Sequence, residues 1–107
     1  MQVDKEATAK WTVSGPGAER RILAESPELM MVEFRFEKGG EGLPHNHPHV
    51  QTTYVMSGRF EFTVGDDAQI LEPGDAMLIP SNVVHSCVAL EAGRLIDAFT
   101  PRRDDFL

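Results

Sequence analysis

Apolar and polar residues alternate along several short stretches of this chain, and this two-residue period constrains the fold more than any other feature. Met30, Val32, Phe34 and Phe36 form one such series, and the same period returns in 60–64. Successive side chains of a β-strand point to opposite faces, whereas a helix repeats its apolar residues every three or four positions. The pattern therefore predicts strands that are buried on one face only.

Turn-forming residues separate these stretches at short intervals: Gly39-Gly40, Gly58, Gly65-Asp66-Asp67, Pro73-Gly74-Asp75, Pro80-Ser81-Asn82 and Gly93. We expect strands near residues 11–13, 20–25, 30–36, 50–56, 60–64, 69–72, 76–79, 86–90 and 94–99, and one helical turn within 4–10. Many short strands separated by regularly spaced turns are typical of a barrel or a sandwich. The sequence therefore predicts an all-β protein.

The length and the charge of the chain restrict its organisation and its partners. A chain of 107 residues supports one hydrophobic core, so we expect a single domain over residues 1–107. Ten basic side chains against 17 acidic ones give a net charge of −7, which argues against nucleic acid or an anionic membrane as a partner. The N-terminus is polar and no apolar run reaches the roughly 18 residues of a membrane helix. We expect a cytoplasmic protein.

Three of the four histidines lie within five residues, at positions 45, 47 and 49. On a strand, residues two apart share a face, so His45 and His47 would direct their imidazoles to one point, and Gln51 keeps the same parity. His85 follows the turn at Pro80 and begins another predicted strand. Two imidazoles at this spacing, with an oxygen-bearing side chain and a further histidine, favour a metal site.

Two neighbouring residues have simpler interpretations. His49 stands between a proline and a valine, and a lone histidine is more often a surface or core residue than a ligand. Tyr54 has the opposite strand parity from Gln51. We therefore expect Tyr54 to serve packing rather than catalysis.

The spacing of these residues resembles the two sequence motifs of the cupins, Gly-x5-His-x-His-x3-4-Glu-x6-Gly and Gly-x5-Pro-x4-His. The first corresponds to Gly39, His45, His47, Gln51 and Gly58, and the second to Gly74, Pro80 and His85. The resemblance implies a small single-domain cupin, a jelly-roll barrel also called a double-stranded β-helix. It also implies that one divalent metal ion is bound by His45, His47, Gln51 and His85.

Gln51 departs from the cupin pattern, which usually has glutamate at this position. Three neutral imidazoles and a neutral amide leave a divalent ion with its full charge, so the site would attract an anionic substrate. The set also differs from the two-histidine, one-carboxylate ligands of many non-haem Fe(II) oxygenases. Such ligands suit Zn, Ni, Fe, Mn or Co, and the identity of the metal stays open.

Two longer stretches, 48–62 and 93–107, are similar to the KdgF-type family of pectin degradation cupins. Trp11, the turn 15–17 and the run 20–23 also fit, so the resemblance spans nearly the whole chain. This resemblance implies a metal-dependent enzyme that converts 4,5-unsaturated monouronates, released from pectin or alginate, to their linear keto form. It assigns catalytic roles to Asp97 and Arg103, and substrate binding to Phe99 and Arg103. We also expect a homodimer, because a small open sheet has edges to cover.

The residues alone leave other interpretations open. The alternation within 95–99 does not decide which face of the strand carries Asp97, and the pattern alone slightly favours a side chain that points to solvent. The charged neighbours of Arg103 are typical of a solvated tail. The alternative functions are another metal-dependent cupin enzyme, such as a dioxygenase or a sugar isomerase, and a sugar-binding cupin module without catalysis.

Overall fold

Eight β-strands form nearly all of the regular structure, which confirms the all-β prediction. The computed structural model describes residues 1–107. Strands β1 to β8 are, in order, Thr12–Gly15, Ala18–Ser26, Leu29–Phe36, Glu41–His45, Val50–Val64, Asp67–Leu71, Ala76–Ile79 and His85–Thr100. Short 3-10 helices lie at Glu6–Thr8 and Asp104–Phe106. Neither helix has the length and apolar character needed to cross a bilayer.

All strand pairs are antiparallel, and two long strands organise the sheet. The strand order is β1-β2-β3-β8-β5-β6, with β4 paired to β8 and β7 paired to β5. The first half of β8 pairs with β4 and with the end of β5, whereas its second half pairs with β3 and with the start of β5. Because each half of a long strand has different neighbours, the sheet curls into a small jelly-roll barrel.

Two glycines explain why β5 and β8 are each one strand where the sequence predicts two. Gly58 has φ +79° and lies at register shifts between β5 and β8. A Cβ on Gly58 would lie 2.6 Å from the backbone oxygen of Ala92, and a Cβ on Gly93 would collide with the backbone oxygen of Ser57. These glycines let two backbones cross closely at a bulge, so they bend the strands without ending them.

The histidine-rich stretch does not form one continuous strand, so the expectation that a single strand carries His45, His47 and Gln51 is wrong. β4 ends at His45, residues 46–49 connect, and β5 begins at Val50. Pro48 has no backbone N–H to donate to a ladder, which favours an interruption here. His45 and His47 therefore approach each other through the path of this connection rather than through the two-residue period of a strand.

The apolar core has two parts. One buried cluster contains Ala18, Phe36, Val55, Phe60, Phe62, Ala89 and Leu95. The second consists of Met30, Val32 and Phe99, with Phe106 of the C-terminal helix packed against it. The Phe99 ring meets the His47 ring edge-on with their centroids 5.7 Å apart, so the second cluster adjoins the polar residues of the site.

Candidate active site

His45, His47 and His85 form a compact cluster inside the barrel mouth. One ring nitrogen from each lies within 4.8 Å of the others. The His45 and His85 rings are 4.3 Å apart between centroids, and the His47 and His85 rings 4.9 Å. His45 and His85 are direct cross-strand partners on β4 and β8, which explains how residues 40 positions apart in sequence meet.

Backbone carbonyls orient all three imidazoles in the same way. Each Nδ1 lies within hydrogen-bonding distance of the carbonyl oxygen two residues away: Leu43 for His45 at 2.8 Å, His49 for His47 at 3.2 Å and Val83 for His85 at 2.9 Å. A carbonyl can only accept, so in the neutral ring Nδ1 carries the proton and Nε2 keeps its lone pair. This arrangement is typical of metal-binding histidines.

The donors present fit a divalent cation. Nε2 of His85 is buried and has no hydrogen-bond partner in the protein, which is costly for a polar atom unless a ligand satisfies it. Burial is the main cause that lowers the pKa of His85 to about 4, and it also lowers the pKa of His47. Both rings are therefore neutral at pH 7, which is the form that binds a metal ion.

Gln51 extends this cluster into a buried chain of hydrogen bonds. Its Nε2 donates to Oγ1 of Thr53 over 3.1 Å, and the Thr53 hydroxyl donates to Oδ1 of Asp97 over 2.5 Å. An ionised Asp97 can only accept, so the single hydroxyl proton of Thr53 points to Asp97 and the Thr53 oxygen accepts from the amide. The chain thereby directs the Gln51 carbonyl oxygen towards the histidines.

This orientation places two acceptors side by side. Oε1 of Gln51 lies 3.0 Å from Nε2 of His47, while the Nδ1 of His47 faces the carbonyl of His49. With the proton on Nδ1, both Oε1 and Nε2 present lone pairs, and two lone pairs at this distance repel each other unless a cation or a proton lies between them. The observation agrees with Gln51 as a fourth ligand beside the three histidines.

Asp97 lies inside the barrel, so the outward orientation that its sequence pattern slightly favours is wrong. On β8 its side chain shares the inner face with Leu95 and Phe99, and all three residues are buried. Thr53 is its direct partner across β5 and β8. Burial raises the pKa of Asp97 to about 7, although hydrogen bonds from Thr53 and Gln51 and the charge of Arg103 oppose the shift.

A cavity of about 330 Å³ joins Asp97 to the histidine cluster. Its walls include polar and charged groups at His45, Gln51, His85, Asp97, Arg20 and Arg103, and aromatic rings at Phe34, Phe36, Phe62, Phe99 and Phe106. This volume lies at the lower end of the range of about 300 to 1,000 Å³ for small-molecule pockets. The cavity therefore suits a ligand of monosaccharide size.

Arg103 is buried against the aromatic wall rather than solvated in a charged tail. Its guanidinium carbon lies 4.3 Å from the centroid of the Phe106 ring and 5.3 Å from that of Phe99. Nε and Nη2 donate to the two carboxylate oxygens of Asp105 over 3.0 and 2.8 Å. Two of the nitrogens of Arg103 are thus engaged with Asp105, while Nη1 makes no protein hydrogen bond.

The remaining histidine and Tyr54 are not part of the cluster of three histidines, although the His49 ring lies 5.3 Å from that of His47 between centroids. Nε2 of His49 is 3.1 Å from the carbonyl oxygen of Arg102, so this ring ties the C-terminal segment to the connection before β5. Tyr54 is 49 % exposed and does not line the cavity. The position of His49 agrees with its interpretation as a residue other than a metal ligand. Tyr54 lies outside the cavity, as expected for a residue without a catalytic role, but it is half exposed and does not belong to the packed core as predicted.

Sequence reasoning missed three residues that line or support this cavity: Thr53, Arg20 and Phe106. Thr53 follows Gln51 by two positions, so strand parity could have found it. Arg20 and Phe106 lie 86 positions apart and come together only through the fold, with the Arg20 guanidinium carbon 4.0 Å from the Phe106 centroid. No local pattern indicates that contact.

A small jelly-roll barrel with three inward histidines that fit a divalent cation is the architecture of a cupin. The profile of the cupin domain matches residues 32–99, and the chain belongs to the cupin family. Within that family it is 44 % identical over 99 residues to the pectin degradation protein KdgF of Dickeya dadantii strain 3937, a match that covers 91 % of this chain and 90 % of that protein.

Two solved structures have nearly the same fold. KdgF from Halomonas sp. is 39 % identical, with a TM-score of 0.94 over 100 % of this chain and 99 % of that one. An RmlC-like cupin from Shewanella frigidimarina is 36 % identical, with a TM-score of 0.95 over 100 % and 96 %. The similarity to KdgF therefore extends over the whole chain.

Proposed function

We propose that this protein is a metal-dependent enzyme that opens the ring of 4,5-unsaturated monouronates and yields the linear keto form. The observation that carries the proposal is the position of Asp97, a buried carboxyl group with a pKa near neutrality in the cavity that His45, His85 and Gln51 also line. An acid-base group works best when its pKa lies near the working pH. The similarity to pectin degradation proteins indicates the substrate class.

The metal ligands in this proposal are His45, His47, Gln51 and His85. A divalent cation held by these residues would act as a Lewis acid that stabilises negative charge on substrate oxygens. The carbonyl contacts at Nδ1 of each histidine orient the rings, and the Thr53 contact orients the amide of Gln51. The choice among Zn, Ni, Fe, Mn and Co stays open.

Asp97 carries the proton transfers. The reaction requires a proton at C4 and the oxygen of a water molecule at C5, which converts the enol ether to a hemiketal. When the bond between C5 and the ring oxygen breaks, the C5 hydroxyl becomes the ketone and its proton passes to the ring oxygen. A protonated Asp97 can deliver the first proton and then recover one from the attacking water, so the residue ends the cycle in its initial state.

Arg103 and Phe99 position the sugar in this scheme. Phe99 is fully buried beside His47 and forms an apolar wall for one face of the ring. Nη1 of Arg103 is free to donate a hydrogen bond to a substrate oxygen while Asp105 holds the other two nitrogens. Asp105 therefore fixes the Arg103 guanidinium before substrate arrives, which reduces the entropy lost on binding.

The assembly and the location of the enzyme are also part of the proposal. We propose a cytoplasmic homodimer, in agreement with the exposed apolar side chains on the outer face of the barrel, among them Val13, Leu78 and Ile70. Size-exclusion chromatography with light scattering distinguishes a dimer from a monomer. A monomer at micromolar concentration would contradict this part of the proposal without affecting the reaction.

The proposed reaction removes the C4–C5 double bond, so ultraviolet absorbance reports it directly. We would follow the absorbance of 4,5-unsaturated galacturonate with purified protein, with chelator-treated protein and without protein. The proposal predicts decay faster than the blank, lost on chelation and restored by added metal, under anaerobic conditions as well as in air. A requirement for oxygen would instead support a dioxygenase, and tight uronate binding without product would support a sugar-binding module.

Two variants separate metal binding from proton transfer. His85→Ala should lose both metal and activity, because it removes a ligand whose Nε2 has no other partner. Asp97→Asn should keep the metal and lose activity, since its amide can accept the Thr53 hydrogen bond but cannot exchange the required proton. Full activity in Asp97→Asn would remove this residue from the mechanism.

A further inference from the structure

Arg20 is a cation inside the cavity that has no anionic partner. It lies on β2 directly opposite Phe34 of β3, and both residues line the cavity. The other six arginines each form an ion pair with a carboxylate: Arg21, Arg35, Arg59, Arg94, Arg102 and Arg103. Arg20 alone forms neither an ion pair nor a side-chain hydrogen bond, so its donors remain free for a ligand.

The surroundings of Arg20 hold the guanidinium in place without neutralising it. Its carbon lies 4.0 Å from the centroid of the Phe106 ring, a distance at which the plane of an arginine stacks well on an aromatic face. Partial burial, with the positive charge of Arg103, lowers the pKa of Arg20, and the charge of Asp105 opposes this effect. A partly desolvated cation of this kind gains from an incoming anion.

The second arginine of the cavity is less suited to receive a carboxylate. Nε and Nη2 of Arg103 already form a bidentate pair with Asp105. A substrate carboxylate could form the same pair with Arg103 only by displacing Asp105, which lies two residues away on the same chain. Arg20 requires no such displacement, and its guanidinium offers the planar donor pair that matches a carboxylate.

We propose that Arg20 binds the carboxylate of the sugar acid and thereby selects acidic sugars over neutral ones. This inference rests on the proposed function for its substrate class. It divides the work of the cavity between Arg20, which recognises the carboxylate, and Asp97, which moves protons. Arg20 is thus a residue that determines specificity, and its loss should weaken binding far more than it slows the chemical step.

The test compares Arg20→Gln with Arg35→Gln. Arg35 is a matched control because its guanidinium carbon also stacks on an aromatic ring, 3.8 Å from the Trp11 centroid, but on the outer face of the sheet. Arg20→Gln should raise KM for 4,5-unsaturated galacturonate about 10- to 100-fold, the effect expected from one charged hydrogen-bonded pair, with little change in kcat. Arg35→Gln should leave both constants unchanged.

Binding measurements keep this test separate from the test of the proposed reaction. Isothermal calorimetry on metal-loaded protein would compare D-galacturonate with D-galactose, which lacks the carboxylate. Wild-type protein should prefer the acid, and Arg20→Gln should lose that preference while its binding of galactose stays the same. This comparison holds even if the wild-type protein does not convert the unsaturated sugar, in which case only the proposed reaction fails.

Three results would overturn the assignment of Arg20. The first is an unchanged KM and an unchanged preference for galacturonate in Arg20→Gln. The second is a loss of kcat at constant KM, which would indicate a catalytic role instead. The third applies if circular dichroism shows that Arg20→Gln does not fold. Arg20→Lys then replaces it in the test, because lysine keeps the charge but lacks the planar donor pair. An unchanged KM in Arg20→Lys would be the third result.

Discussion

Replacing Asp97 by asparagine should make the metal-free protein more stable at alkaline pH, because the folded chain holds a carboxylate where burial disfavours the charge. The pKa of Asp97 is raised from 3.8 to about 7, and one pKa unit corresponds to about 1.4 kcal/mol. Keeping Asp97 ionised in the folded protein at pH 8 therefore costs on the order of 4 kcal/mol of unfolding free energy.

The direction with pH follows from the proton binding of the two states. Between pH 4 and pH 7 the unfolded chain has lost the Asp97 proton while the folded chain retains it, so the wild-type protein loses stability from this group as pH rises. Below this range both states are protonated and the group contributes nothing. Above it both are ionised and the cost is constant.

The asparagine variant keeps the shape of the site and one of its hydrogen bonds. The Thr53 hydroxyl that donates to Oδ1 of Asp97 can donate to the amide oxygen instead. The new amide N–H groups lie in a buried position, where missing partners cost about 1 to 3 kcal/mol. We therefore expect a net stabilisation on the order of 2 kcal/mol at pH 8, together with the loss of activity.

Urea unfolding of chelator-treated protein at pH 5 and pH 8 measures this difference. Chelation is needed because a bound cation would itself favour the ionised carboxylate. The lowered pKa values of His47 and His85 also change stability with pH, but they are common to both proteins and cancel in the comparison. A variant that is less stable than wild type at pH 8, or a difference that does not grow from pH 5 to pH 8, would refute the reasoning.

Four further predictions concern the metal site and its hydrogen bonds. His85→Ala should weaken metal binding by more than about 100-fold, because mutation of a residue that only hydrogen-bonds to a ligand can already cost about 100-fold. Metal analysis after dialysis would detect this loss, and retained metal would exclude His85 as a ligand. Because the pKa of His85 is lowered to about 4, the ring of His85 in the metal-free protein should take up a proton only well below pH 6, and an NMR titration that gives this ring a pKa near 6 would contradict this. Gln51→Glu should bind the metal more tightly and uronate more weakly, because the glutamate carboxylate cancels half of the charge of the divalent ion. Calorimetry with metal and with galacturonate would test the direction of both changes in affinity. Thr53→Val removes a hydrogen bond that lowers the pKa of Asp97, so the pH profile of kcat should move about 1 to 2 units to higher pH, while Thr53→Ser should keep the wild-type profile.

Local sequence patterns account for the strand class and for most of the proposed metal ligands. The two-residue period of Met30, Val32 and Phe36 places all three on the buried face as expected. Asn82, in the predicted turn that begins at Pro80, has φ +63°, a left-handed conformation that asparagine tolerates better than most residues. These features depend on neighbouring residues, so the sequence determines them without knowledge of the fold.

The fold decided which face of each strand lies inside and which distant residues meet. Alternation groups Leu95, Asp97 and Phe99 on one face, but only the pairing of β8 with β3 and β5 places that face within the barrel. The raised pKa of Asp97 and the contact of Arg20 with Phe106 have the same origin. Burial and charge are set by all the elements packed around a group, and a local pattern contains no information about those elements.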